Sequence, residues 1–152
     1  MDLKKLVTQK PFYISERKEF ISCELRPAWR ISLLLLILKL LGRSNKASRS
    51  KVQLANWAIK DDDHLQSYIN YCQNKSQRPF INLDPALDKA IDYTLYSGLV
   101  TIGNDRIQLT ADGVAVALQL ENQQVFTLEK MKFKKIKSEL SEDKVKKAFE
   151  GK

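Results

Sequence analysis

The stretch GLVTIGNDRIQLTADG, Gly98 to Gly113, holds the densest structural signal in the chain. Leu99-Val100-Thr101-Ile102 and Arg106-Ile107-Gln108-Leu109 are two short runs of β-type residues, and Gly103-Asn104-Asp105 between them are the residue types a tight turn needs. Thr110 follows as a helix cap. A hairpin is therefore expected over 99–109, and a helix from Thr110 through roughly Gln119.

Upstream, the chain reads as helices separated by short breaks. Pro27 stands at the first-turn position that proline tolerates, and Gly42 ends a run containing Trp29, Ile31, Leu33 to Leu38, Leu40 and Leu41. That helix is apolar almost all round, so it must be covered on more than one side, by its own chain and for any remainder by a partner. Ser48 can cap a second helix through about Ile59, with Val52, Ala55, Ala58 and Ile59 on one face. Asp62 or Asp63 begins a third, in which Leu65, Tyr68, Ile69 and Cys72 fall at helical spacing. After a polar stretch from Asn74 to Arg78, Asp84-Pro85 is a cap followed by proline at the first helical position. The fourth helix runs to Ser97 and is expected to bury Leu87, Ala90, Ile91 and Leu95.

Helices, a two-stranded hairpin and another helix follow the order of a winged helix, and the string from Gly98 to Gly113 resembles the wing of that superfamily. The expected fold is mainly α with a small β-hairpin, a winged helix-turn-helix core at 27–122. Residues 1–26 are an N-terminal extension in which Phe12, Tyr13, Ile14, Phe20 and Ile21 allow a β-hairpin over 10–25. Residues 123–152 form a basic helical tail. It is read as one helix from Val125 to Leu140, with Phe133, Ile136 and Leu140 in register, and a shorter one from Ser141-Glu142-Asp143 to Phe149.

Composition narrows the function. At 152 residues, 43% hydrophobic and 29% charged, the chain has room for one globular domain. The longest apolar run, Ile31 to Leu41, would span roughly 16 Å as a helix against about 30 Å of bilayer hydrocarbon, so it reads as a core helix and not a membrane span. No secretion signal opens the chain, and Cys23 and Cys72 read as reduced thiols of a cytoplasmic protein, because they show no CxxC or metal-ligand spacing. The single histidine, His64, follows Asp61-Asp62-Asp63 at a helix start and has no catalytic partners in the sequence. No nucleophile set, phosphate-cradling glycine loop or metal motif is present, so the expectation is a binding protein with no enzymatic activity and no cofactor.

The net charge of +8 is uneven. Residues 27–60 hold seven bases and no acid, residues 61–98 three bases and six acids, and residues 123–152 nine bases and five acids. Two clusters become candidates for phosphate contact: Arg43, Lys46, Arg49 and Lys51 around the first turn and second helix, and Lys130, Lys132, Lys134, Lys135 and Lys137 in the tail. Within that tail window only Met131, Phe133 and Ile136 can be buried, so its ordering is expected to depend on a partner.

A winged-helix regulator reads bases with the helix before the wing. Here that helix carries Asp84, Asp88 and Asp92 at i, i+4 and i+8, a carboxylate stripe relieved mainly by Lys89, and the wing offers one base, Arg106. Asp84 is explained as a cap, but Asp92 lies beyond the reach of the helix dipole. A stripe of that sign is unsuited to phosphates, so Asp88 and Asp92 become candidates for a protein interface, with Trp29 as an anchor if exposed.

These segments together carry a family resemblance. RPAWRISLLLLILKLLGR at 26–43, VQLANWAI at 52–59, INLDPALDKAIDYTLYSGLV at 81–100 and IQLTADG at 107–113 resemble the small middle subunit of bacterial ABC-three-component systems, a group that includes the Lamassu-type antiphage and antiplasmid defence complexes. The resemblance spans roughly residues 26 to 140. It implies an accessory subunit without an active site, assembled with an SMC/Rad50-like ATPase and an effector, often a nuclease. It also implies at most sequence-tolerant contact with double-stranded DNA. The competing reading is a winged-helix transcriptional regulator, which would bind specific sequences as a homodimer.

Overall fold

The computed structural model describes residues 26–151. Its centre is helix α1 (Pro27–Leu40), in which every residue from Leu33 to Leu38 is at most 1% exposed. Pro27 takes the first helical position, as expected. The chain turns directly after Leu41 because Gly42 passes so close to the Leu38 carbonyl oxygen that a Cβ there would overlap it. The all-round apolar character of α1 is accounted for within the chain itself, since the central stretch is sheathed by elements that follow it in sequence.

Those elements are β1 (Lys46–Ser48), α2 (Arg49–Lys60), α3 (Asp62–Cys72), α4 (Pro85–Tyr96), β2 (Val100–Gly103), β3 (Arg106–Leu109), α5 (Ala111–Asn122), α6 (Thr127–Ile136), a 3-10 turn (Lys137–Glu139) and α7 (Glu142–Glu150). The molecule is mainly helical with one small antiparallel sheet. The expected caps are made: Ser48, Asp84, Thr110 and Ser141 accept from the backbone N–H of Lys51, Ala86, Gly113 and Lys144. Asn104 and Asp105 both adopt positive φ, the backbone of a two-residue primed turn between the paired residues Gly103 and Arg106.

Four features depart from the sequence-based expectations. The sheet has three strands, in the order β1-β3-β2, because Lys46, Ala47 and Ser48 pair with Gln108, Ile107 and Arg106. Leu95, expected in the core, is 42% exposed. It follows Thr94, which is fully buried and donates its hydroxyl to the Ile91 carbonyl (2.8 Å). The acidic residues of α4 do not form an outward stripe, as described below. Finally, α6 and α7 pack on the chain's own core, burying Phe133, Ile136, Leu140, Val145 and Ala148 while Met131 stays exposed. The hairpin allowed over residues 10–25, and Cys23 with it, lies outside the described residues. Among the described residues, no helix is long and apolar enough to cross a membrane.

Helix α2 is the most enclosed element. All nine residues from Lys51 to Ile59 are buried, including the polar Lys51, Gln53 and Asn56, because α1, α3, α6 and α7 all lie against it. His64, at the start of α3, stacks on the Trp57 ring at 4.3 Å, and its Nδ1 lies 2.9 Å from the Trp57 carbonyl oxygen. Both aromatic groups are thereby engaged in packing.

Candidate nucleic-acid interface

Two tight turns and one strand pairing build a charged cleft. Ser44 and Asn45 both have positive φ, and Arg43 and Lys46 exchange backbone hydrogen bonds across them (2.9 and 3.1 Å). The RSNK sequence thus forms a miniature hairpin that sets two cations directly opposite each other. Lys46 opens β1, whose pairing with β3 puts Ser48 opposite Arg106. Lys51 is one turn into α2, and the 3-10 turn brings Lys137 from the other end of the sequence.

Arg43, Lys46, Lys51, Arg106 and Lys137 line one cleft of about 720 Å³, together with Ser138, Ser141, Glu142 and Asp143. The two basic clusters, which lie nearly eighty residues apart in the sequence, therefore meet here through Lys137. Lys51 lies at the bottom, 5% exposed. Burial lowers the pKa of its amine, Glu142 acts in the opposite direction, and Arg106 and Lys137 lower it further. Glu142 is anchored at the rim: its carboxylate accepts from the Ser48 backbone N–H (3.0 Å) and hydroxyl (2.6 Å), and lies 3.9 Å from the Arg106 guanidinium.

The remaining candidate bases are placed differently. Lys130 is a structural cap, its ammonium donating to the carbonyls of Leu120 (2.7 Å), Glu121 (3.1 Å) and Gln123 (2.8 Å) where α5 ends. Lys132 does the same for α2, donating to the Ile59 carbonyl (3.0 Å) and pairing with Asp62 (3.2 Å). Both of these candidate phosphate contacts thus have their ammonium groups engaged within the fold. Lys134 and Lys135 are exposed, and Lys134 with Lys137 borders a neighbouring cleft beside Leu40 and Phe133.

Arg49 is taken up by Asp88, with Nη2 to Oδ2 at 2.6 Å and Nε to Oδ1 at 2.8 Å. Asp88 also accepts from the Gln53 amide (3.0 Å). Asp84 goes further inward: it pairs with Arg30 and with Lys60 (3.0 Å), accepts from the Asn56 amide (3.3 Å) and caps α4. Burial works to raise the Asp84 pKa, but Lys60, Arg30 and the Ala86 N–H together outweigh it and hold the carboxyl at about 2. The first two acids of the expected stripe are thus a polar clamp between α4 and the helices beneath it. Asp88 is no free interface residue, and only Asp92 faces solvent.

The outward side of α4 carries Lys89, Asp92, Tyr93 and Tyr96, so the helix before the hairpin offers a single base. Trp29 is half-buried against the ring of Phe126 (5.7 Å), the residue just before α6, so it packs within the chain and is not an exposed anchor. Sequence reasoning missed Arg106 as a partner of the first basic cluster and Asp84 as more than a cap. The first depends on a three-residue strand with no periodic signal of its own.

No family model, curated protein or solved structure matches this chain.

The cleft therefore stands on its own chemistry. Five cations with two serine hydroxyls on one concave surface suit a polyanion, and the charge comes from four different segments held by turns, a strand and helix starts. Among the described residues, no group of three or more His, Cys, Asp or Glu side chains is placed to hold a metal ion.

Proposed function

We propose that this chain is a non-catalytic winged-helix accessory subunit of a DNA-associated assembly, of the ABC-three-component type that its sequence resembles, and that the cleft is its contact with the DNA backbone. The observation that carries this reading is the distribution of bases. The cleft gathers Arg43, Lys46, Lys51, Arg106 and Lys137, whereas the outward face of α4, the position of a base-reading helix, has Lys89 alone. Backbone contact without base readout follows from that arrangement. The winged-helix assignment is supported by the element order and by the β1-β3-β2 sheet, in which the strand ahead of α2 pairs with the second strand of the hairpin. In the assembly, an SMC/Rad50-like ATPase would engage DNA and an effector nuclease would act on it. The exposed side of α4, with Asp92, Tyr93 and Tyr96, is the surface we assign to one of these proteins.

The test is titration of the full chain against two duplexes of unrelated sequence at several salt concentrations. Wild type should bind both duplexes equally. Arg43→Gln, Lys46→Gln and Lys137→Gln combined should weaken binding and flatten the salt slope by about 0.9 for each phosphate no longer neutralised. Strong preference for one duplex, retained in the triple variant, would instead favour a transcriptional regulator.

A further inference from the structure

The carboxylate of Glu142 occupies a set of donors suited to a phosphate oxygen. Its two oxygens take the Ser48 backbone N–H and hydroxyl, at the start of the 12-residue helix α2, and face the Arg106 guanidinium. A backbone N–H at a helix start, a hydroxyl and a guanidinium make up a common phosphate-binding combination.

A second observation points to a ligand at the same place. Lys51, at least nine-tenths buried, lines the cleft, and among the described residues its ammonium forms no hydrogen bond or ion pair. It sits near Arg106 and Lys137, which oppose its charge, and Glu142 compensates it. The stem of Lys51 is buried while its ammonium opens into the cleft, and a cation held there beside two others is a place to which an anion is drawn. Glu142 supplies one negative charge to this group. A phosphodiester would supply a comparable charge with more acceptor oxygens, and would reach Lys51 as well.

We infer that the floor of the cleft is a phosphodiester subsite formed by the Ser48 N–H and hydroxyl, Arg106 and Lys51, and that Glu142 is a resident stand-in that a backbone phosphate displaces. This rests on the proposed DNA contact and adds to it a defined site and a competitor built into the chain. Displacement leaves α7 with its own cap, because Ser141 bonds the Lys144 N–H independently of Glu142. The chain would then bind DNA in two steps: long-range attraction to Arg43, Lys46 and Lys137 at the rim, followed by exchange of Glu142 for phosphate at the floor.

Glu142→Gln keeps an oxygen that can accept from Ser48 and removes the competing charge. The full-length variant and wild type are titrated with a short duplex at several salt concentrations. We expect the variant to bind about five- to ten-fold more tightly near 0.1 M salt, with a salt slope steeper by about 0.9. Lys51→Met in the Glu142→Gln background should cancel the gain. Equal affinity for Glu142→Gln and wild type overturns the subsite while leaving the cleft reading intact. Binding by neither protein overturns the cleft reading and the subsite together. Should the variant fold poorly, amide chemical shifts of wild type titrated with the duplex decide the matter. The Ser48 and Lys51 amides should move on saturation, and unmoved amides with DNA bound overturn the proposal.

Discussion

At the scale of single residues, the best-determined polar group is Asp84. Three side chains and one backbone amide meet at its carboxylate, and its own N–H donates to the Gln53 side chain, so its charge is worth more to the fold than its role as a helix cap. Holding the carboxyl at about 2 instead of its ordinary 3.8 corresponds to on the order of 2 kcal/mol of stability. The folded state favours the deprotonated form, so that contribution is present above about pH 4 and is lost as pH falls through about 2. Asp84→Asn keeps a competent cap and removes the charge, leaving Arg30 buried without a counterion. We expect it to cost on the order of 3 kcal/mol at pH 7, measured by urea unfolding. It should also flatten the pH dependence of stability between pH 4 and 2. A variant as stable as wild type at pH 7 would show that the cluster is energetically idle.

Much of what operates at the scale of elements could be read in advance, because caps and tight turns are local. Ser48, Asp84, Thr110 and Ser141 each announce a helix with a side chain that bonds an amide two or three residues on. Gly113 has a less local reason: a Cβ there would overlap the Leu99 carbonyl, where α5 starts against the hairpin. What the sequence concealed depends on pairing across long separations. β1 is three residues long and exists only because β3 lies beside it. The lysines of α6 looked alike in sequence, yet two of them close the carbonyl ends of other helices while Lys134 and Lys135 face solvent. Replacing all five tail lysines together would therefore mix loss of charge with loss of caps. Lys130→Met separates the two effects. Three carbonyls at the end of α5 lose their charged donor, and we expect a cost of about 2 kcal/mol, or roughly 4–8 °C in Tm. Duplex affinity should stay near wild type, since Lys130 does not line the main cleft. An unchanged Tm with weakened DNA binding would mean that Lys130 leaves its carbonyls to bind phosphate.

At the scale of the whole molecule, the C-terminal helices decide whether the basic cleft is a property of the core or of a joint. Lys137, Ser138, Ser141, Glu142 and Asp143 form one wall, and Arg43, Lys46, Lys51 and Arg106 the other. That first wall stays in place because Phe133, Ile136 and Leu140 are at most 1% exposed and because the Tyr68 hydroxyl donates to the Glu139 carbonyl (2.7 Å). Full burial of a large apolar side chain contributes roughly 1.5–3 kcal/mol, so three of them amount to a large part of the roughly 5–15 kcal/mol by which a domain of this size is stable. Removing residues 125–152 would also uncover the side of α2 that α6 and α7 protect, with Val52 and Ala55 in its buried run. We therefore expect a chain ending at Gln124 to lose cooperative thermal unfolding or to aggregate, and not to behave as a trimmed but intact domain. Circular dichroism melting of the two lengths is the measurement. A truncated chain that melts cooperatively within a few degrees of wild type would mean that α6 and α7 rest on the domain without supporting it. The cleft would then be a seam able to open, and its DNA affinity would depend on whatever holds the tail in place.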